Sequence, residues 1–167
     1  MRILGVDPAL AVCGYGIVDF NNNRLSLCKA GAVITSYRKP LPERLNKIYE
    51  TFTELIRTNR PEVMVLEKIY VHYHHPTTAY LLGQARGIIL LACAKGNIPL
   101  VEYAATRVKK AIVGKGLASK EQVQRMVKSI LNLNSTPKYL DVTDALALAI
   151  AYSYFIKADT IKQGVTK

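Results

Sequence analysis

Cysteine is scarce in this chain, and what there is forms no pattern. Cys13, Cys28 and Cys93 are the only three among 167 residues. An odd, widely spaced set offers neither a disulfide framework nor paired metal-ligand spacing. Free thiols of this kind point to a reducing compartment. Acidic residues are scarce too: 12 Asp and Glu stand against 23 Lys and Arg, a net charge of +11. A globular domain that basic is expected to meet a polyanion. Nucleic acid is favoured over a membrane surface, because no strongly amphipathic basic helix stands out. The start of the chain lacks the basic, apolar and small-residue succession of a signal peptide. The apolar run at residues 88–94 is too short to span a bilayer. No Gly-x-x-x-x-Gly-Lys phosphate cradle is present, which speaks against a P-loop nucleotide hydrolase. No repeat and no linker divides the chain. These absences leave a cytoplasmic domain at residues 1–157 with a flexible tail at 158–167, half hydrophobic in composition and large enough to build a core.

What is present is organised around residues 2–8. Ile3, Leu4 and Val6 read as a buried strand, Asp7 ends it, and Pro8 cannot continue the ladder. Strands at 14–20 and 24–34 follow through short joins, as in an antiparallel meander. Apolar residues at three- and four-residue spacing, from Leu45 to Ile56, predict a helix over 42–57. A second apolar run, 62–67, again finishes on a carboxylate, Glu67. Strand, helix, strand is the parallel crossover unit of α/β proteins. A ring-rich loop follows, with Tyr70, His72, His74 and His75. Next comes a helix over 77–95, apolar nearly all round and capped at Gly96, which the core or another chain must cover. A brief strand at 98–101 precedes a basic helix capped by Thr106 and carrying Arg107, Lys109 and Lys110. Gly114-Lys115-Gly116 is a basic turn. Ser119 and Gln122 have capping-box spacing and open a helix to about Leu131, and a final helix is expected over 141–157.

Four acids then stand out. Asp7 and Glu67 end apolar strands, and Asp141 and Asp144 share one face of the last helix. Each has a structural explanation by itself. Asp7 suits a turn, Glu67 suits an ion pair, and the helical pair suits a helix N-terminus, where each contributes about 0.3–1 kcal/mol. Gathered together they would repel unless a cation neutralised them. All-oxygen ligands suit Mg²⁺ or Mn²⁺. Two such ions about 3.5–4 Å apart cleave a phosphodiester by in-line displacement. Asp7, whose strand is expected to be central, is the candidate bridging ligand.

The stretches Gly5-Val6-Asp7-Pro8, Gly14-Tyr15-Gly16, Glu67, Leu82-Gly83-Gln84-Ala85-Arg86-Gly87, Glu102-Tyr103-Ala104, Val113-Gly114-Lys115-Gly116, Ser119-Lys120-Glu121-Gln122-Val123-Gln124 and Asp144-Ala145-Leu146-Ala147 resemble, in order, the RuvC Holliday-junction resolvases. The resemblance implies a ribonuclease H-like fold, a mixed five-stranded sheet flanked by helices. It implies a homodimer that resolves four-way DNA junctions by paired symmetric nicks in recombination and repair. Two Mg²⁺ ions per subunit are expected, with Mn²⁺ able to substitute, and branch-migration motor proteins are the expected partners. By the same resemblance Asp7, Glu67, Asp141 and Asp144 are the catalytic acids and metal ligands. Lys109 and Lys120 are the functional lysines, and Tyr70 is the aromatic residue that stacks on an unpaired base. Arg86, Lys110 and Lys115 join these lysines as expected DNA contacts. The residues themselves leave Lys109 and Lys120 open to general phosphate contact and Tyr70 open to a place in the core. Two departures from the family pattern are present: Ala9 stands where glycine usually follows Asp-Pro, so the turn is expected to be altered, and residues 71–78 carry the three histidines, a DNA-facing or solvated loop in preference to a zinc site. The helix over 77–95 is the candidate dimer interface. The competing readings are a nuclease of the same fold acting on RNA–DNA hybrids and a junction-binding module without activity. A sugar-kinase or actin-like ATPase is disfavoured by length.

Overall fold

The computed structural model describes residues 1–69 and 76–164. Tyr70, His72, His74 and His75 lie outside the described residues. Strands β1 (Arg2–Asp7), β2 (Val12–Asn21) and β3 (Arg24–Ile34) come first, then α1 (Leu41–Asn59), β4 (Val63–Glu67) and α2 (Pro76–Lys95). β5 (Leu100–Tyr103), α3 (Ala105–Val113), α4 (Lys120–Ile130) and α5 (Leu140–Gly164) complete the chain. The sheet order is β3-β2-β1-β4-β5. β1–β2 and β2–β3 are antiparallel, as the short joins predict, and β1–β4 and β4–β5 are parallel. β1 is therefore the central strand.

Strand periodicity divides the core into two layers. On β1, Ile3 faces the layer of α3, α4 and α5, whereas Leu4 and Val6 face α1 and α2. On β4, Val63 and Val65 take the first side and Met64 and Leu66 the second. Successive side chains alternate, so the next residue on each strand, Asp7 and Glu67, belongs to the α5 side. The parallel register pairs Val6 with Leu66, which sets the two acids side by side at the strand ends.

α5 lies directly on β1 and β2. A Cβ on Gly5 would collide with the carbonyl oxygen of Ala145, and one on Gly14 with that of Asp141. The absence of side chains at these points lets the helix backbone approach the strands.

Several boundaries differ from the sequence reading, each for a local reason. β5 begins at Leu100, two residues later than expected. Pro99 has no N–H, but its carbonyl accepts from Met64 N at 2.9 Å, so the ladder starts beyond it. Thr106 lies inside α3; the N-cap is Ala104, without a side-chain hydrogen bond. At the end of α2 the left-handed residue is Asn97, φ 51°, and Gly96 keeps negative φ. The capping box of α4 forms as expected, with Gln122 N donating to Ser119 Oγ and Ser119 N to Gln122 Oε1. α5 continues to Gly164, past the expected end at 157.

α2 needs a further correction. Judged over Thr77–Lys95 it is long and apolar enough to cross a membrane, which the seven-residue run considered alone did not reveal. Its Ala85, Ile89, Ala92 and Cys93 pack with Phe52 and Ile56 of α1 in the same core cluster. Only 28% of its span is buried within this chain, and Tyr80 and Leu91 are exposed.

Gly5→Ala is expected to lower the melting midpoint by roughly 5–10 °C, because the added methyl meets backbone that cannot yield as a side chain would. Thermal unfolding followed by circular dichroism measures this, and an unchanged midpoint would mean that α5 is not seated on β1.

Candidate active site

Asp7 and Glu67 arrive from the ends of two adjacent parallel strands, and Asp144 arrives from the second turn of α5. The link between them is Gly14, which is the cross-strand partner of Asp7 and also the residue on which the Asp141 backbone rests. The strand end and the helix start are thus held to one point. Asp7, Glu67, Lys109, Lys120 and Asp144 line one cavity of about 330 Å³. Asp141 does not line it, but its charge is felt by both Asp7 and Asp144.

The electrostatics follow from burial and crowding. Asp7 is pushed up to about 7, first by burial, then by repulsion from Asp144, Asp141 and Glu67; Lys120 opposes the rise. Glu67 is raised by burial and by Asp144, with Lys109 and Lys120 opposing. Asp144 is raised by burial, with Lys120 as the main opposing charge. Lys120 Nζ stands 4.0 Å from Asp144 Oδ2. Lysines from α3 and α4 therefore offset part of a repulsion built into the site.

The donor set is all carboxylate oxygen, the chemistry of Mg²⁺ and Mn²⁺, and the mutual repulsion of the acids is what a divalent cation relieves. The residues fit such an ion by chemistry and charge. As placed, however, no three Asp, Glu, His or Cys side chains among the described residues form a group that could hold a metal ion. The acids are coupled through their fields more than gathered about one point.

The expected DNA contacts separate. Lys110, Lys115 and Lys120 are exposed, and Lys109 is half-buried toward the cavity. Tyr70 is outside the described residues. Arg86 does not present a free guanidinium. Its side chain is 11% exposed, Nη1 donates to the Glu67 carbonyl at 3.0 Å, and Nη2 is paired with Glu102. Its apolar neighbours in sequence, Leu82 and Ile89, were the available hint that this face turns inward.

Arg107 is another residue that the sequence reading left among the basic charges. Its guanidinium stacks on the rings of Tyr103 and Phe155, at 5.0 and 4.4 Å from their centroids, and so ties α3 to β5 and α5. Ala9 causes no strain: among the described residues, the non-glycine positions with positive φ are Asn22, Asn23, Arg60, Asn97 and Asn132, and Ala9 is not one of them. The turn is held instead at Leu10, whose carbonyl accepts from Thr35 Oγ1 and from Arg44 Nη2.

A five-stranded sheet of this order, with acids on two central strand ends and on the helix crossing them, defines a ribonuclease H-like nuclease. The family model described as crossover junction endodeoxyribonuclease RuvC matches residues 3–152. A protein of that description from Brevibacillus brevis is 41% identical over 167 residues, covering 100% of both chains. One from Pelotomaculum thermopropionicum is 44% identical over 154 residues, 92% of this chain and 93% of that protein. The Thermus thermophilus RuvC structure superposes with a TM-score of 0.87 at 31% identity, covering 96% of this chain and 98% of that one. The chain belongs to the RuvC family of crossover junction endodeoxyribonucleases. Nucleases of this family are metal-dependent.

The raised pKa of Asp7 has a stability consequence. Between its ordinary value of 3.8 and about 7, the folded protein holds a proton that the unfolded chain has released. By linkage, stability falls as pH rises through that window. In chelator, Asp7→Asn is expected to melt several degrees above the parent at pH 8, the difference closing toward pH 4. Identical pH profiles for the two proteins would remove Asp7 from a repulsive cluster.

Proposed function

We propose that this chain resolves four-way DNA junctions by paired symmetric nicks, as a homodimer using two divalent ions per subunit, Mg²⁺ or Mn²⁺. The observation that carries the reading is the meeting of Asp7, Glu67 and Asp144 with Lys109 and Lys120 in one cavity. A solved relative, T. thermophilus RuvC in complex with a Holliday junction substrate, supports the substrate class, with a TM-score of 0.86 at 28% identity and coverage of 95% of this chain and 96% of that one.

Asp7, Glu67, Asp141 and Asp144 would hold the cations. Drawing the carboxylates together around them exchanges repulsion for coordination. Bound there, such cations supply an activated water and a stabilised leaving oxygen for in-line displacement. The chain's own cations act on the phosphate. Lys120 from the start of α4 and Lys109 from α3 line the same cavity as the strand-end acids, where they can meet the charge that develops on the scissile group. Lys110 and Lys115 extend the basic surface beyond the cavity and hold flanking phosphates without reading sequence.

Paired cuts call for two identical sites related by the junction's two-fold symmetry, which a C₂ dimer provides. The incompletely covered face of α2, with Tyr80 and Leu91 exposed, is the surface we assign to that interface. α5 packs against the core as far as Phe155 among the described residues grouped with it, which supports residues 1–157 as the catalytic domain. We place the enzyme in the cytoplasm, with branch-migration motor proteins as partners.

A nicking assay on a synthetic mobile junction, with Mg²⁺, Mn²⁺ or chelator, tests the reading against linear duplex and RNA–DNA hybrid. Asp7→Asn is expected to keep junction affinity and lose cleavage; cutting at the parental rate would overturn the assignment. Lys109→Ala is expected to slow cleavage by about 10²-fold with little loss of binding. Binding is expected to weaken steeply with salt, as counterion release requires, and a flat response would make the net charge incidental.

A further inference from the structure

We propose that Arg86 is a positioning residue for Glu67, fixing the end of β4 from the α2 side rather than contacting DNA. The proposal rests on the reading of Glu67 as a cation-holding acid.

Glu67 is the last residue of its strand. Its neighbours on β1 are Asp7 and then Pro8, which has no N–H to offer. Arg86 reaches this point from α2 and donates from Nη1 to the Glu67 carbonyl at 3.0 Å. The other end of the guanidinium is paired with Glu102, the β5 residue directly opposite Leu66 in the parallel register. One side chain therefore spans the ends of two strands and ties both to a helix in the opposite layer. Arg86 and Leu82, one helical turn apart, line a second cavity of about 290 Å³ with Asp7, Pro8 and Glu67. The Asp7–Glu67 pair thus has the lysine-lined cavity on one side and the Arg86 cavity on the other.

Lys109 and Lys120 oppose the repulsion among the acids, whereas Arg86 meets Glu67 at its backbone carbonyl and so acts through placement. With the side chain 11% exposed and both ends engaged, little of the guanidinium remains for a phosphate. Arginine is suited to the task because its rigid fork serves two acceptors at once, whereas lysine is a point donor. Partners that orient metal-holding side chains typically change metal affinity or activity by about 10–100-fold when replaced.

The test compares full-length parent, Arg86→Lys, Glu102→Gln and the double variant. Calorimetric titration with Mn²⁺ in the absence of DNA is set beside junction binding over a salt series in chelator. Arg86→Lys is expected to weaken Mn²⁺ binding about 10-fold, leaving junction affinity and its salt slope unchanged. Glu102→Gln, which keeps the shape of the site, is expected to move Mn²⁺ affinity in the same direction. The double variant is expected to add little, since both changes act through one guanidinium. Unchanged Mn²⁺ affinity with weaker junction binding and a salt slope lower by about one would make Arg86 a phosphate contact and overturn the proposal. A lower melting temperature with unchanged Mn²⁺ affinity would overturn it in favour of a purely structural tie. A parent that binds Mn²⁺ but does not cut junctions would overturn the functional reading, while the variant titrations still decide the role of Arg86. A parent that binds no Mn²⁺ would overturn both.

Discussion

The seat of α5 on the first hairpin is the constraint on which the site depends. Gly5 and Gly14 present bare backbone to the carbonyls of Ala145 and Asp141, and Leu146 closes against Gly16. Helix and sheet normally stand apart by the thickness of their side chains. Here that spacing is removed along one line. An acid on α5 can then reach the field of acids on the strand ends. The same contact buries Ala145, Leu146, Ala149 and Ile150, so the interaction that organises the site also contributes to the core.

The site sets electrostatic comfort against chemistry. In a chain with so few acids, Asp7, Glu67 and Asp144 are raised toward neutrality, first by burial and then by neighbouring carboxylates. Such a cluster costs stability in the absence of cations, and it persists because the surrounding packing over-determines it. The compensating lysines are themselves placed by packing and capping. The capping box fixes the first turn of α4, where Lys120 follows Ser119. The packing of Arg107 over the Tyr103 and Phe155 rings fixes α3, which carries Lys109. A lysine in the first turn opposes the helix dipole, and its approach to Asp144 offsets that local disadvantage. Lys110 and Lys115, outside the cavity, are exposed and add to the chain's positive surface charge.

Much of this was legible one element at a time. Apolar runs along residues 2–7 and 62–67 predicted two strands ending in carboxylates. Helical spacing predicted α1, and the Ser119–Gln122 box predicted the start of α4. What escaped were features decided by a neighbour. Pro99 delayed β5 because the ladder with β4 needs a donor there. Thr106 is not the cap because α3 begins two residues earlier than expected, directly after β5. Arg86 looked like a surface cation because its acceptors, the Glu67 carbonyl and Glu102, lie 19 and 16 residues away. The turn after Asp7 tolerates Ala9 because Thr35 and Arg44, from β3's end and α1, hold Leu10.

The order of strands and helices, the carboxylates that end β1 and β4 and the excess of positive charge were determined by the sequence itself, since periodicity and composition are local properties. Which acids share a cavity, which cations face them and which arginine is withdrawn from the surface were decided only by the fold. Those relations depend on the β1–β4 register and on how closely α5 approaches the sheet, and both are set by packing between residues far apart in the chain.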